Sequence, residues 1–170
     1  YVLGDYEKSL ADYDEAIKLT PEDFDLYFGK YNVLEKLGKA SEQAELLRII
    51  TTIENPSAED SYYIAKAQYF SGAYESALVS LTEVAENGYD DAHYYIGEIY
   101  HSRSAYGEAV YHYKQYIAGS GAKDAAAYNQ MGICLMKQTQ YADALEAVRA
   151  GQKLSDPLHG KQLFFNEVVI

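Results

Sequence analysis

Apolar positions recur along this chain in two alternating registers, each with helical spacing. One register runs through Tyr27, Leu34 and Leu37 and again through His93, Ile96, Gly97 and Tyr100, which share one face of a helix. The other runs through Tyr6, Ser9 and Tyr13, then Tyr74, Ala77 and Leu81, Tyr106, Ala109 and Tyr113, and Tyr141, Ala144 and Val148. Its middle member is small, which lets a neighbouring helix approach closely. The second copy departs by placing Gln43 there beside Ala44, between Ala40 and Leu47. Each unit is therefore predicted to be two antiparallel helices, A then B.

Between the two registers lies a turn that repeats. Gly4, Gly38, Gly72, Ser104 and Thr139 align with steps of 34, 34, 32 and 35, so five copies fit. A fixed period of this length means stacked copies of one supersecondary unit. Glycine closes helix A cheaply because it adopts the left-handed conformation. Ser104 and Thr139 do not suit that conformation, so the last two A-to-B turns are expected to differ. Thr20-Pro21-Glu22-Asp23 offers an N-cap hydroxyl, a first-turn proline and acidic charge at a helix start, and Asn55-Pro56 and Ser155-Asp156-Pro157 repeat the pattern. The step of 32 implies a shortened junction near Gly88.

The run LGDYEKSLADYDEAIKLTP, residues 3 to 21, resembles the second half of a tetratricopeptide repeat. YYIGEIYHSRSAYGEAVYHYKQYI, residues 94 to 117, and YNQMGICLMKQTQYADALEAV, residues 128 to 148, are similar to further copies. The resemblance covers essentially the whole chain, with Tyr27, Ser61, His93 and Tyr128 where the family often has tryptophan. It implies an all-α fold: an α-solenoid, a right-handed superhelix of about ten helices in stacked antiparallel pairs. Residues 1–170 then form one domain, with a half repeat at about 1–21, repeats at 22–55, 56–88, 89–121 and 122–156, and a half repeat at 157–170. Tyr31 occupies a site the family fills with Gly or Ala, as at Ala65, Gly97 and Gly132, and Lys30 takes a usual Leu site. The second repeat is the expected place for irregular packing. The half repeats leave Leu10, Ile17, Leu163, Phe164 and Val168 to be covered by further chain, by other copies or by solvent.

Charge narrows the partner class. Lys and Arg total 14 against 26 Asp and Glu, a formal net charge of −12, so nucleic acid and anionic lipid surfaces are poor partners. No stretch is long and apolar enough to span a bilayer, and the N-terminal residues lack the order of a secretion signal. The compartment stays open on these grounds. His93, His101, His112 and His159 provide no HxxxH or HExxH pair, so no metal site is expected, and Cys134 sits where a buried thiol is expected rather than a nucleophile. No phosphate loop follows a strand, and no cofactor is expected.

The resemblance implies that the A helices line a concave groove and that the chain is a noncatalytic interaction scaffold. Facing outward on successive A helices are Phe28, Asn32 and Glu35; Tyr62, Lys66 and Tyr69; Tyr94, Glu98 and His101; and Asn129, Ile133 and Met136. Mixed aromatic and polar groups suit an extended or helical peptide. Glu35 and Glu98 oppose a clamp for a terminal carboxylate and favour a protein or peptide partner of basic or aromatic character. Two other readings stand beside it: a docking or regulatory segment of a larger enzyme, and a module that forms homo-oligomers through its terminal helices.

Overall fold

The computed structural model describes residues 3–54 and 56–154. Among them lie nine α-helices and no strand: α1 (Leu3–Leu19), α2 (Phe24–Lys36), α3 (Ala40–Thr51), α4 (Ala58–Phe70), α5 (Tyr74–Glu86), α6 (Ala92–Ser102), α7 (Tyr106–Ala118), α8 (Ala125–Lys137) and α9 (Tyr141–Gln152). The even-numbered helices carry the A register and the odd-numbered ones the B register, so the fold is all-α and built of helix pairs. The segment 158–170, expected as a further A helix with Leu163, Phe164 and Val168 on its apolar face, lies outside the described residues, as do Asn55, the Ser155-Asp156-Pro157 turn and His159.

Two compact units divide the chain, Tyr1–Ala73 and Tyr74–Ile170. In the first, Phe24, Tyr27, Phe28 and Leu34 of α2 pack with Leu46, Leu47 and Ile50 of α3 and with Leu10 of α1. Leu10 is only 8% exposed and Ile17 packs against the same core, so α2 covers the apolar face of α1 that the sequence left open. In the second, Ala109, Val110 and Tyr113 of α7 meet Met131, Cys134 and Leu135 of α8 and Ala144 and Ala147 of α9.

The A-to-B turns correct one expectation. Ser104 and Thr139 adopt φ of 58° and 61°, the same left-handed conformation as Gly38 and Gly72 at 68° and 81°. Each closes its helix with the same pair of backbone bonds: Lys39 N–H donates to the Leu34 carbonyl and Gly38 N–H to that of Glu35, just as Gln140 donates to Leu135 and Thr139 to Met136. Satisfying two end carbonyls outweighs a left-handed cost of about 1–2 kcal/mol at a residue with a Cβ. The turn geometry is therefore held by hydrogen bonding where glycine is absent.

Helix starts also shift. Asp23, not Thr20, caps α2, its carboxylate accepting from Asp25 N–H at 3.1 Å. Thr20 instead donates its hydroxyl to the Ala16 carbonyl at the end of α1, because the Thr20–Asp23 turn uses up the proline before the helix begins. Ser57 caps α4 in a reciprocal box with Asp60. The shortening around Gly88 lies mostly in α6, which has 11 residues against 13 in α2, α4 and α8, while the α5–α6 connection, residues 87–91, is one residue shorter than 119–124.

Irregular packing falls where Tyr31 predicts it. Tyr31 and Gln43 both replace small residues at the α2–α3 contact, and those helices touch less extensively than α6 with α7 or α8 with α9. A cavity of about 400 Å³ opens beside Tyr31, Ala44, Leu47 and Phe70, and Gln43 spans the gap by donating to the Tyr31 carbonyl at 3.3 Å. The Tyr31 ring leans on Phe70 with centroids 5.2 Å apart. Lys30, at a usual leucine site, turns to Asp14 of α1 at 2.6 Å.

Candidate functional site

In the first unit the side chains of α2 and α4 meet through aromatic rings. Phe24, Tyr27, Phe28 and Tyr31 are spaced i, i+3, i+4, i+7, and so are Tyr63, Ala67 and Phe70 with i, i+4, i+7. These two stripes face each other: Tyr63 lies 5.6 Å from Phe24 and 6.2 Å from Phe28, and Phe70 lies 5.7 Å from Phe28. Phe28 is therefore part of the core, at 6% exposure, rather than outward. Lys66 lies above it with Nζ 4.2 Å from the Phe28 ring and 5.9 Å from that of Tyr62, a cation–π arrangement. Phe28, Tyr62 and Lys66 thus form one group. Tyr69 is half-buried and stands edge-on to Phe70 at 5.3 Å. Asn32 and Glu35 are exposed on α2, where Glu35 comes within 3.7 Å of Lys36.

The second unit brings together Tyr94 and Glu98 through a residue that the sequence marks only as packing. Tyr113 of α7 is fully buried, 6.1 Å from the Tyr94 ring, and its hydroxyl donates to Glu98 Oε1 at 2.5 Å. Tyr94 also contacts Tyr116 at 5.3 Å, and the Tyr116 hydroxyl donates to Asp124, the cap of α8. His101 leans on Tyr106 at 6.0 Å. On α8, Ile133 and Met136 are half-buried, whereas Asn129 is 4% exposed and lies inward.

Electrostatics set these groups as donors and acceptors. Burial, then the Asp25 carboxylate, pushes the Tyr63 phenol up to about 12. Burial first and Glu98 second push Tyr113 well above its ordinary range, so it stays a donor. The Cys134 thiol is fully buried and pushed up to about 12 by burial and then by Glu98, which keeps it protonated and unreactive. Among the described residues no group of three or more metal-ligating side chains comes together, and no helix is long and apolar enough to cross a membrane.

One pairing had no sequence signal, because its members lie on different helices. The Nδ1 atoms of His93 on α6 and His112 on α7 are 3.0 Å apart, so one ring donates and the other accepts; Tyr100 stacks on His112 at 5.5 Å. Burial and the neighbouring His93 lower the His112 pKa from 6.5 to about 4; burial also lowers that of His93, partly opposed by Asp90. The unfolded chain then binds more protons than the folded one between those values, so this contribution is intact above 6.5 and is lost as pH falls toward 4. His112 keeps contact with solvent, and the expected loss is about 1–2 kcal/mol. Chemical denaturation near neutral pH and near pH 5 should show it, and His112→Gln should flatten the difference.

The paired-helix fold is similar to that of known proteins. The family description "TPR repeat" matches residues 1–38 and "Tetratricopeptide repeat" matches residues 62–129. Among solved structures, the chain is similar to TTC0263, a thermophilic TPR protein in Thermus thermophilus, with 16% identity over 99% of this chain and 93% of that one and a TM-score of 0.73. It is similar to YrrB, described as a TPR protein with an unusual peptide-binding site, at 18% identity over 92% and 80% and a TM-score of 0.59. It is similar also to the TPR2B domain of yeast Sti1, solved in complex with pHsp70, at 17% identity over 66% and 96% and a TM-score of 0.57. No curated protein matches the chain. With two stretches matched by repeat descriptions and left-handed turns closing paired helices throughout, the chain belongs to the tetratricopeptide-repeat family.

Proposed function

We propose that this chain is a noncatalytic interaction module that takes a peptide or protein partner on its A-helix faces. The observation that carries the reading is a set of half-exposed aromatic and polar side chains there, each seated on a packed aromatic layer: Tyr62, Lys66 and Tyr69 above Phe28 and Phe70, and Tyr94 and Glu98 above Tyr113. Such groups are already ordered, so a partner loses little side-chain entropy in meeting them. Asn32 and Glu35 extend the first face; His101, Ile133 and Met136 extend the second. Phe28 and Asn129 support them from beneath. A peptide-binding site in YrrB and a pHsp70 complex of Sti1 are the precedents among proteins of this fold. The formal charge of −12 favours a basic segment.

The test is co-purification of the tagged chain from its source lysate, comparing Tyr62→Ala and Tyr69→Ala with Tyr111→Ala on the B helix α7, where Tyr111 is 58% exposed. The A-face variants should lose roughly tenfold or more of the retained partner, a typical cost for a central aromatic contact. The Tyr111 variant should match the parent. Loss confined to Tyr111→Ala would move the binding face to the B helices.

A further inference from the structure

Resting on that reading, we infer that Glu98 is the anchor for a cationic side chain, lysine or arginine, of the bound segment, and that Tyr113 is its positioning residue. Glu98 is a half-buried carboxylate on α6, and the Tyr113 hydroxyl holds one of its oxygens, Oε1. The second oxygen has no hydrogen-bond donor, and the carboxylate no cationic partner, among the described residues. A carboxylate drawn partly out of water without a counter-charge is costly, and an arriving cation recovers that cost.

The surroundings fit the same ligand. Tyr94 stands one turn before Glu98 on the same face of α6, offering a ring to an ammonium or guanidinium group. Tyr113, which holds Glu98, packs in one core with Met131, Cys134 and Leu135 of α8, and after burial Glu98 adds to the upward push on the Cys134 thiol. On the same helix, Met136 is half-buried against that core and offers apolar surface to the methylene stem of a long cationic side chain. Orientation comes from below. Tyr113 reaches Glu98 past Gly97, where a Cβ would stand 2.8 Å from the tyrosine ring, so the path of the phenol is set by packing. An arginine would meet a carboxylate already turned toward it.

The experiment uses the whole chain and two labelled probes, a seven-residue peptide alternating leucine and arginine and its twin with citrulline for every arginine, read by fluorescence anisotropy. The arginine peptide should bind roughly tenfold tighter or more than the citrulline peptide. Glu98→Gln should lower that ratio about fivefold, leaving the preference that the formal charge of −12 supplies, and Tyr113→Phe should lower it about threefold, with both variants confirmed folded by thermal melting. An unchanged ratio in Glu98→Gln overturns the inference, because attraction would then come from the general negative charge. Absence of saturable binding by the arginine peptide overturns it too. Neither result touches the A-face reading, which Tyr62→Ala and Tyr69→Ala test separately with the natural partner.

Discussion

Replacing Tyr113, the largest fully buried side chain among the described residues, with alanine should destabilise the second unit by about 3–5 kcal/mol. The ring is completely buried among Val110, Met131, Cys134 and Leu135, and it carries the only described hydrogen bond to Glu98. Removing it opens a cavity and leaves a half-buried carboxylate with nothing donating to it. Tyr113→Phe separates these contributions: the ring stays, the bond goes, and the expected cost is about 1–2 kcal/mol. Urea titrations followed by circular dichroism measure both. The alanine variant should also produce a separate early transition, since repeat arrays lose local contacts before distant ones. A cost near that of the phenylalanine variant would mean that the surrounding helices collapse into the space.

Gly97→Val should cost about 3 kcal/mol for a complementary reason. A Cβ at Gly97 would stand 2.8 Å from Cε1 and 3.0 Å from Cδ1 of Tyr113, and that ring, packed on every side, has nowhere to go. Valine adds two methyl groups beyond that Cβ. The same contact predicts strong coupling. On a Tyr113→Ala background the added methyls enter the cavity, and Gly97→Val should cost much less than it does alone. Additive losses would show that the tyrosine ring can move aside.

These two residues show how far helical spacing carries. Tyr113 and Gly97 were each legible as members of an apolar stripe of period 3.6 on their own helices, whereas their meeting is a tertiary contact. The pairing of α2 with α3 was legible in the same way, since Tyr31 and Gln43 break the small-residue pattern and the cavity lies beside both. The left-handed Ser104 and Thr139 were not legible, because propensity ranks a residue alone while the turn is held by two carbonyls needing donors. Phe28 shows a different limit. A helix bearing Phe24, Tyr27, Phe28 and Tyr31 has a wide apolar face, and its edge becomes core only once the aromatic stripe of α4 lies against it. The His93–His112 contact and the Tyr113–Glu98 bond join residues 19 and 15 apart, and their partners are chosen by tertiary geometry rather than by any local pattern.

Binding through the A-helix faces is tested most directly by amide hydrogen exchange of the chain alone and with its co-purified partner. Protection is predicted to rise in α2, α4, α6 and α8, with the Glu98 turn of α6 among the most protected, while the exposed turns of α5, α7 and α9 change little. Protection confined to the B helices, around Val79, Tyr111 and Tyr141, would contradict the account.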